Sequence, residues 1–192
     1  MRTAEKRRTT KETDIFVKID LDGNDKTEIS TGIGFFDHML ELFAFHAKIS
    51  LQLKAKGDLH ICDHHTVEDC GIVLGECIKE ALGDKRGINR YGSFLLPMDE
   101  ALAQVVIDIS NRAYLVYNAD IKRDTIGAFS CEMASEFLRA LVQQAGITLH
   151  VNVLYGDNDH HKLEAIFKGL GRAFQQAVCI SSDSLPSTKG VL

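Results

Sequence analysis

The sequence predicts an α/β (α+β) protein made by tandem duplication of a two-layer α/β unit, each half running strand, strand, helix, strand, helix. Three observations carry this. The pattern Asp-His-His-x-x-Glu occurs at residues 63–68 and again at 159–164, 96 positions on. Ahead of each copy, the strand-like segments 49–53 and 147–151 match at an offset of 98. Further upstream, Glu12 stands as far before Asp20 as Glu100 does before Asp108.

In chain order, residues 15–21 alternate apolar and polar side chains, as a half-buried strand does. Residues 37–46 have helical apolar spacing, 49–53 return to strand, and 67–82 form a helix closed by Gly83. The stretch Gly83-Asp84-Lys85-Arg86-Gly87 is turn-rich and divides the chain into repeats 1–85 and 86–192. In the second repeat, 103–109 is an apolar run with β-branched residues and reads as a strand. A helix over 132–145, a strand over 147–151 and a helix over 162–178 follow, then an irregular tail 181–192 containing Pro186.

With 192 residues and 45% hydrophobic content, the chain can bury a core. Its apolar runs fall far short of the ~20 residues of a membrane helix, so it reads as soluble. The five cysteines form no Cys-x-x-Cys pair and sit mostly in apolar segments, which predicts a reducing, cytoplasmic compartment. Residues 1–11 are rich in Arg, Lys and Thr, but Glu5 and the lack of an apolar face argue against an organellar presequence. A net charge of -5 gives no general drive toward nucleic acid or anionic membrane, so an anionic ligand needs a local basic cluster.

A single His-His-x-x-Glu is usually only a polar helix start, with Glu near the positive end of the dipole. Its repetition points to metal binding, because solvated side chains have no physical reason to recur in matched contexts. Residues three and four apart share a helix face, so Glu68 can meet His64 or His65, and Glu164 can meet His160 or His161. The repeat also aligns His38 with Glu136. The candidate ligands are therefore His38, His64, His65, Glu68, Glu136, His160, His161 and Glu164, enough for two ions. Imidazole and carboxylate without thiolate suit Mn, Fe, Co, Ni or Zn, with hexacoordinate ions favoured over structural zinc.

Asp37, Asp63 and Asp159 each precede a candidate ligand, as acceptors orienting a histidine or as plain helix caps. His60 and His150 lie in strand-like segments and read as structural, while His46 is a substrate contact or a favourable C-terminal cation. Arg90, Arg112, Lys168 and Lys189 are each, singly, solvated charges. Lys168 follows Glu164 by four residues on one helix face, where it would suit a phosphate beside the metals.

These residues lie in motifs that resemble those of the imidazoleglycerol-phosphate dehydratases: Thr10-Lys11-Glu12-Thr13, Gly34-Phe35-Phe36-Asp37-His38-Met39-Leu40, Asp63-His64-His65-Thr66-Val67-Glu68-Asp69, Pro97-Met98-Asp99-Glu100-Ala101-Leu102, His160-His161-x-x-Glu164-Ala165-x-Phe167-Lys168 and Pro186-Ser187-Thr188-Lys189-Gly190. The similarity runs from about residue 8 to 192. It implies a duplicated fold of the ribosomal protein S5 domain 2-like type, two Mn²⁺ per site, and a homo-oligomeric, 24-subunit shell with metals between neighbouring subunits. It further implies substrate contacts at Glu12, His46, Arg90, Arg112, Lys168, Ser187 and Lys189, and a catalytic set of Glu12, His65 and Glu164. Many members carry histidine where this chain has Glu136. The usual Ser-Gly-Arg-Pro-Tyr-Leu reads Ser110-Asn111-Arg112-Ala113-Tyr114-Leu115, which alters the turn and retains Arg112.

The reaction so implied is metal-dependent dehydration of D-erythro-imidazole glycerol phosphate to imidazole acetol phosphate, a hydro-lyase step of histidine biosynthesis, with Glu12 moving the proton. The same ligands would also serve a di-metal hydrolase that generates hydroxide from water. A metal-storage protein would need the clusters but neither Glu12 nor phosphate-binding cations.

Overall fold

The computed structural model describes residues 2–23 and 27–192. Two four-stranded sheets, each with two helices, repeat one topology. The first half comprises β1 (Thr3–Thr9), β2 (Thr13–Asp20), β3 (Glu28–Ser30), α1 (Gly34–Ala47), β4 (Ser50–Gly57) and α2 (His64–Leu82). The second comprises β5 (Tyr91–Met98), β6 (Ala101–Asp108), β7 (Tyr114–Asn118), the small hairpin β8 (Thr125–Ile126) and β9 (Phe129–Ser130), α3 (Met133–Ala145), β10 (Thr148–Tyr155) and α4 (Asp159–Val178).

The sheet orders are β1-β2-β4-β3 and β5-β6-β10-β7, with the last pair parallel in each. The registers coincide as well: Thr3 faces Asp20 as Tyr91 faces Asp108, and Asp20 faces Ser50 as Asp108 faces Thr148. The hairpins thus align at an offset of 88, and the following helices and strands at 98 and 96. The ten-residue change falls in the excursion between β7 and α3 that carries the β8–β9 hairpin.

Each sheet therefore has one more strand than the sequence pattern predicts. β1 spans a run of Arg, Lys and Thr whose side chains alternate between helix and solvent, so no apolar signal marks it. β3 and β7 are short edge strands. The helices begin earlier than their apolar periodicity, so both His-His pairs lie inside first turns.

The core forms where the inward strand residues, Ile15, Val17, Ile19, Leu51 and Leu53 against Val105, Ile107, Leu149 and Val151, meet the helices. Each such burial contributes about 1.5–3 kcal/mol. The helices of the two halves pack crosswise, α1 on α4 and α2 on α3. Glycine permits the close approach: a Cβ on Gly171 would sit 2.6 Å from the Phe43 carbonyl oxygen, and one on its repeat equivalent Gly75 would sit 2.6 Å from that of Leu141. Phe36, Phe129, Phe137 and Phe167 fill the junction as a chain of ring contacts.

Candidate metal centre and anion cavity

The crosswise packing brings α1 of the first half beside α4 of the second, and with them three donors. His38 Nε2 lies 3.1 Å from Glu164 Oε1, and His160 Nε2 lies 2.9 Å from the same oxygen. Among the described residues, His38, His160 and Glu164 are the one group whose ligand atoms all fall within 4.8 Å of one another. Phe35 packs edge-on against the His160 ring, 5.1 Å between centroids, and limits its rotation. Burial opposes the charge on Glu164. Hydrogen bonds from Lys168, His160 and His38 outweigh it and hold its carboxyl down to about 2. Two imidazoles converging on an ionised carboxylate are a donor set suited to a divalent first-row metal.

The other five expected ligands stand elsewhere in the chain. His64 and Glu68 are half-exposed and 3.9 Å apart, and Glu136 pairs with Arg139 at 3.4 Å. His65 and His161 each have Nδ1 taken by a carboxylate, His65 by Asp58 at 3.0 Å and His161 by Glu100 at 2.7 Å. These hydrogen bonds raise the affinity of both rings for a proton. They also leave Nε2 as the remaining ligand position on each ring, with Asp99 Oδ2 3.7 Å from that of His161. Asp58 and Glu100 carried no signal by themselves. Glu100 was discoverable from the motif at residues 97–102 and as the repeat counterpart of Glu12, whose Oε2 lies 3.9 Å from His65 Nδ1.

The three motif aspartates neither orient histidines nor cap helices through their side chains. Asp63 accepts from Ser130 N at 2.6 Å and Ser130 Oγ at 2.9 Å. Asp159 accepts from the backbone N–H groups of Lys122 and Arg123 and pairs with buried Lys162 at 2.8 Å. Both therefore pin the β7–α3 excursion to the motif helices, and Asn158 caps α4 instead. Asp37 holds the turn before α1 through the Thr31 N–H and hydroxyl. His60 is an exposed turn residue rather than a strand residue, and His150 lies on β10 with its side chain exposed.

Arg90, Arg112, Ser187 and Lys189 line one cavity of about 330 Å³ with Thr188. Asp108 clamps Arg90 through Nε at 2.7 Å and Nη2 at 3.2 Å, and reaches Arg112 at 3.5 Å. Arg90 Nη1 donates to the Pro186 carbonyl, which ties the tail to the second sheet. Lys168 is not in this cavity. Its ammonium lies 2.5 Å from Glu164 Oε2. His46 lines a separate cavity of about 830 Å³ with Arg172, and burial, with Arg172 and Lys168 nearby, lowers its proton affinity. Glu12, exposed at the β1–β2 turn, lines a third cavity with Asp58 and His60.

A duplicated two-layer α/β scaffold carrying a His/Glu metal-binding group and a separate cationic cavity defines the class as a metal-dependent enzyme acting on an anionic substrate. The particular family follows from comparison. The sequence profile of imidazoleglycerol-phosphate dehydratase matches residues 31–174. A dehydratase of that name from Caldicellulosiruptor saccharolyticus is 54% identical over all of this chain and 98% of its own. One from Clostridioides difficile is 52% identical over the whole of both. The crystal structure of the enzyme from Staphylococcus aureus superposes with a TM-score of 0.86 at 42% identity, covering 93% of this chain and 99% of its own. That of IGPD from Pyrococcus furiosus gives 0.85 at 42% identity, covering 97% and 100%. The chain belongs to the imidazoleglycerol-phosphate dehydratase family.

Proposed function

We propose that this protein is a manganese-dependent hydro-lyase that removes water from imidazole glycerol phosphate to give imidazole acetol phosphate in histidine biosynthesis. The observation that carries the reading is the convergence of His38, His160 and Glu164 from two halves of the chain in a member of this family. By the repeat, the second triad is His64, Glu68 and Glu136, giving two ions per site. His65 and His161, each held at Nδ1, supply Nε2 to an ion of a neighbouring copy within a shell of 24 subunits.

Arg90, Arg112, Ser187 and Lys189 hold the substrate phosphate, with His46 and Lys168 contributing from the α1–α4 side. When bound, the two ions supply Lewis-acid stabilisation of negative charge on the imidazole ring as the hydroxyl leaves. Glu12 stands on an exposed turn and moves the proton from the carbon at position 2, a transfer typically contributing ~10²–10⁴-fold. His65, near Glu12, and Glu164, beside Lys168, complete the catalytic set. The duplication divides at residues 85 and 86, and among the described residues each four-stranded sheet draws its strands from one half. A cytoplasmic setting agrees with five free cysteines.

The test is incubation of metal-depleted protein with imidazole glycerol phosphate before and after adding Mn²⁺, following the enolisable ketone. Ketone formation that requires Mn²⁺ is expected. Release of phosphate instead would identify a hydrolase, and metal uptake without any turnover a storage protein.

A further inference from the structure

Glu12 is an exposed carboxylate on a two-stranded turn, a poor platform for positioned proton transfer unless something fixes it. We infer that buried Asp69 is a positioning residue for Glu12, acting through a hydrogen-bond relay of one direction across Thr13 and Thr10. Thr10 Oγ1 accepts the backbone N–H groups of Glu12 at 3.1 Å and Thr13 at 3.0 Å. With its lone pairs taken, its one proton points to Thr13 Oγ1, 3.3 Å away. Thr13 Oγ1 in turn donates to Asp69 Oδ2. Arg8 Nη1 pairs with that oxygen at 2.6 Å.

Asp69 and Thr13 are both buried, so this polar chain crosses the core between the turn and α2, the helix that carries His65 and Glu68. Burying a carboxylate is costly unless it is paired, so the chain keeps the network against a simpler apolar alternative. The repeat supplies that alternative. Thr10, Thr13 and Asp69 correspond to Met98, Ala101 and Ala165, so the matching turn has neither hydroxyl nor carboxylate at these three positions, and Met98 Sδ instead accepts from Lys168 Nζ at 3.2 Å. There the counterpart carboxylate Glu100 is fixed directly, by the backbone N–H groups of Asp157 and Asn158 and by His161. The Glu12 carboxylate has only a 3.9 Å approach to His65 Nδ1, and its backbone is fixed from below instead.

The inference rests on Glu12 being the acid/base group, and the test separates the two claims. Thr13→Val removes the relay, Thr13→Ser retains its hydroxyl, and Thr10→Val cuts it at an exposed position that does not threaten folding. Each is made alone and in Glu12→Gln, with kcat, KM and bound Mn²⁺ measured on the assembled protein. Expected are an about tenfold fall in kcat for both valine variants at unchanged KM and metal content, recovery to within threefold for Thr13→Ser, and no further fall in the Glu12→Gln background. Equal falls in both backgrounds, or valine variants within twofold of the parent, would overturn the inference. A Glu12→Gln enzyme with normal turnover would remove the acid/base reading and this positioning role together.

Discussion

The two halves share one strand order, one register and one helix arrangement, yet only one of their two donor triads closes. In the second half Glu164 is pulled inward by Lys168 and meets His160 and, across the junction, His38. In the first half the position equivalent to Lys168 is Ile72, Glu68 stays half-exposed 3.9 Å from His64, and Glu136 turns to Arg139. A repeat sets where donors stand. The charged neighbours decide whether they converge before a metal arrives.

The strongest way to break this comparison is to remove one carboxylate at a time. Glu164→Ala should lower turnover about a thousandfold, on the scale of several kcal/mol of Lewis-acid stabilisation, and release one of the two proposed metal ions per chain by elemental analysis. Glu68→Ala should release the other. Loss of both ions from either variant would show that the triads are not separate sites.

The turn carboxylates offer the next contrast. Glu12→Gln should cost at least a hundredfold in kcat with metal content intact, the scale of general acid/base transfer. Glu100→Gln, which loosens His161, should instead weaken divalent-metal binding about 10–100-fold, read by metal titration. An effect of Glu12→Gln on metal rather than on kcat would exchange the two roles.

The helix junctions should respond alike, because Gly171 and Gly75 are equivalent. Valine at either is expected to cost about 1–3 kcal/mol in denaturant unfolding through contact with a facing carbonyl. Each should also reduce metal occupancy, Gly171→Val at the group of His38, His160 and Glu164, and Gly75→Val at the proposed group of His64, Glu68 and Glu136, because each lies on the helix that carries its carboxylate.

The smallest difference lies on the outer sheet faces, where Arg7 and Asp14 of the first half correspond to Leu95 and Leu102 of the second. The Arg7 guanidinium, with Thr9, holds the Asp14 carboxyl down from 3.8 to about 2. A depressed carboxyl stabilises the fold above its unfolded value, and that contribution fades as pH falls from near 4 toward 2. Urea midpoints of Arg7→Ala and parent should differ slightly at neutral pH and converge in that acidic window, since the pair is exposed.

Much of this was legible in the chain. The period of the apolar residues gave the four helices and the central strands, and the matched motifs pointed to the donors. The strand over Thr3–Thr9 was hidden because its charged side chains face solvent and its neighbours supply the burial. Asp63 and Asp159 read as partners of the adjacent histidines or as helix caps, but their side chains reach Ser130 and Lys122, far away in sequence, where partly buried N–H groups find an acceptor.

By itself the sequence determined the doubled two-layer unit, the types of donor and their place at helix starts, because periodicity and residue chemistry are local properties. Only the tertiary structure decided that α1 crosses α4, so that His38 meets His160 and Glu164, and that Asp108 binds two arginines beside the tail. Those outcomes depend on helix contacts and buried charges between residues far apart in the chain, and no spacing rule encodes them.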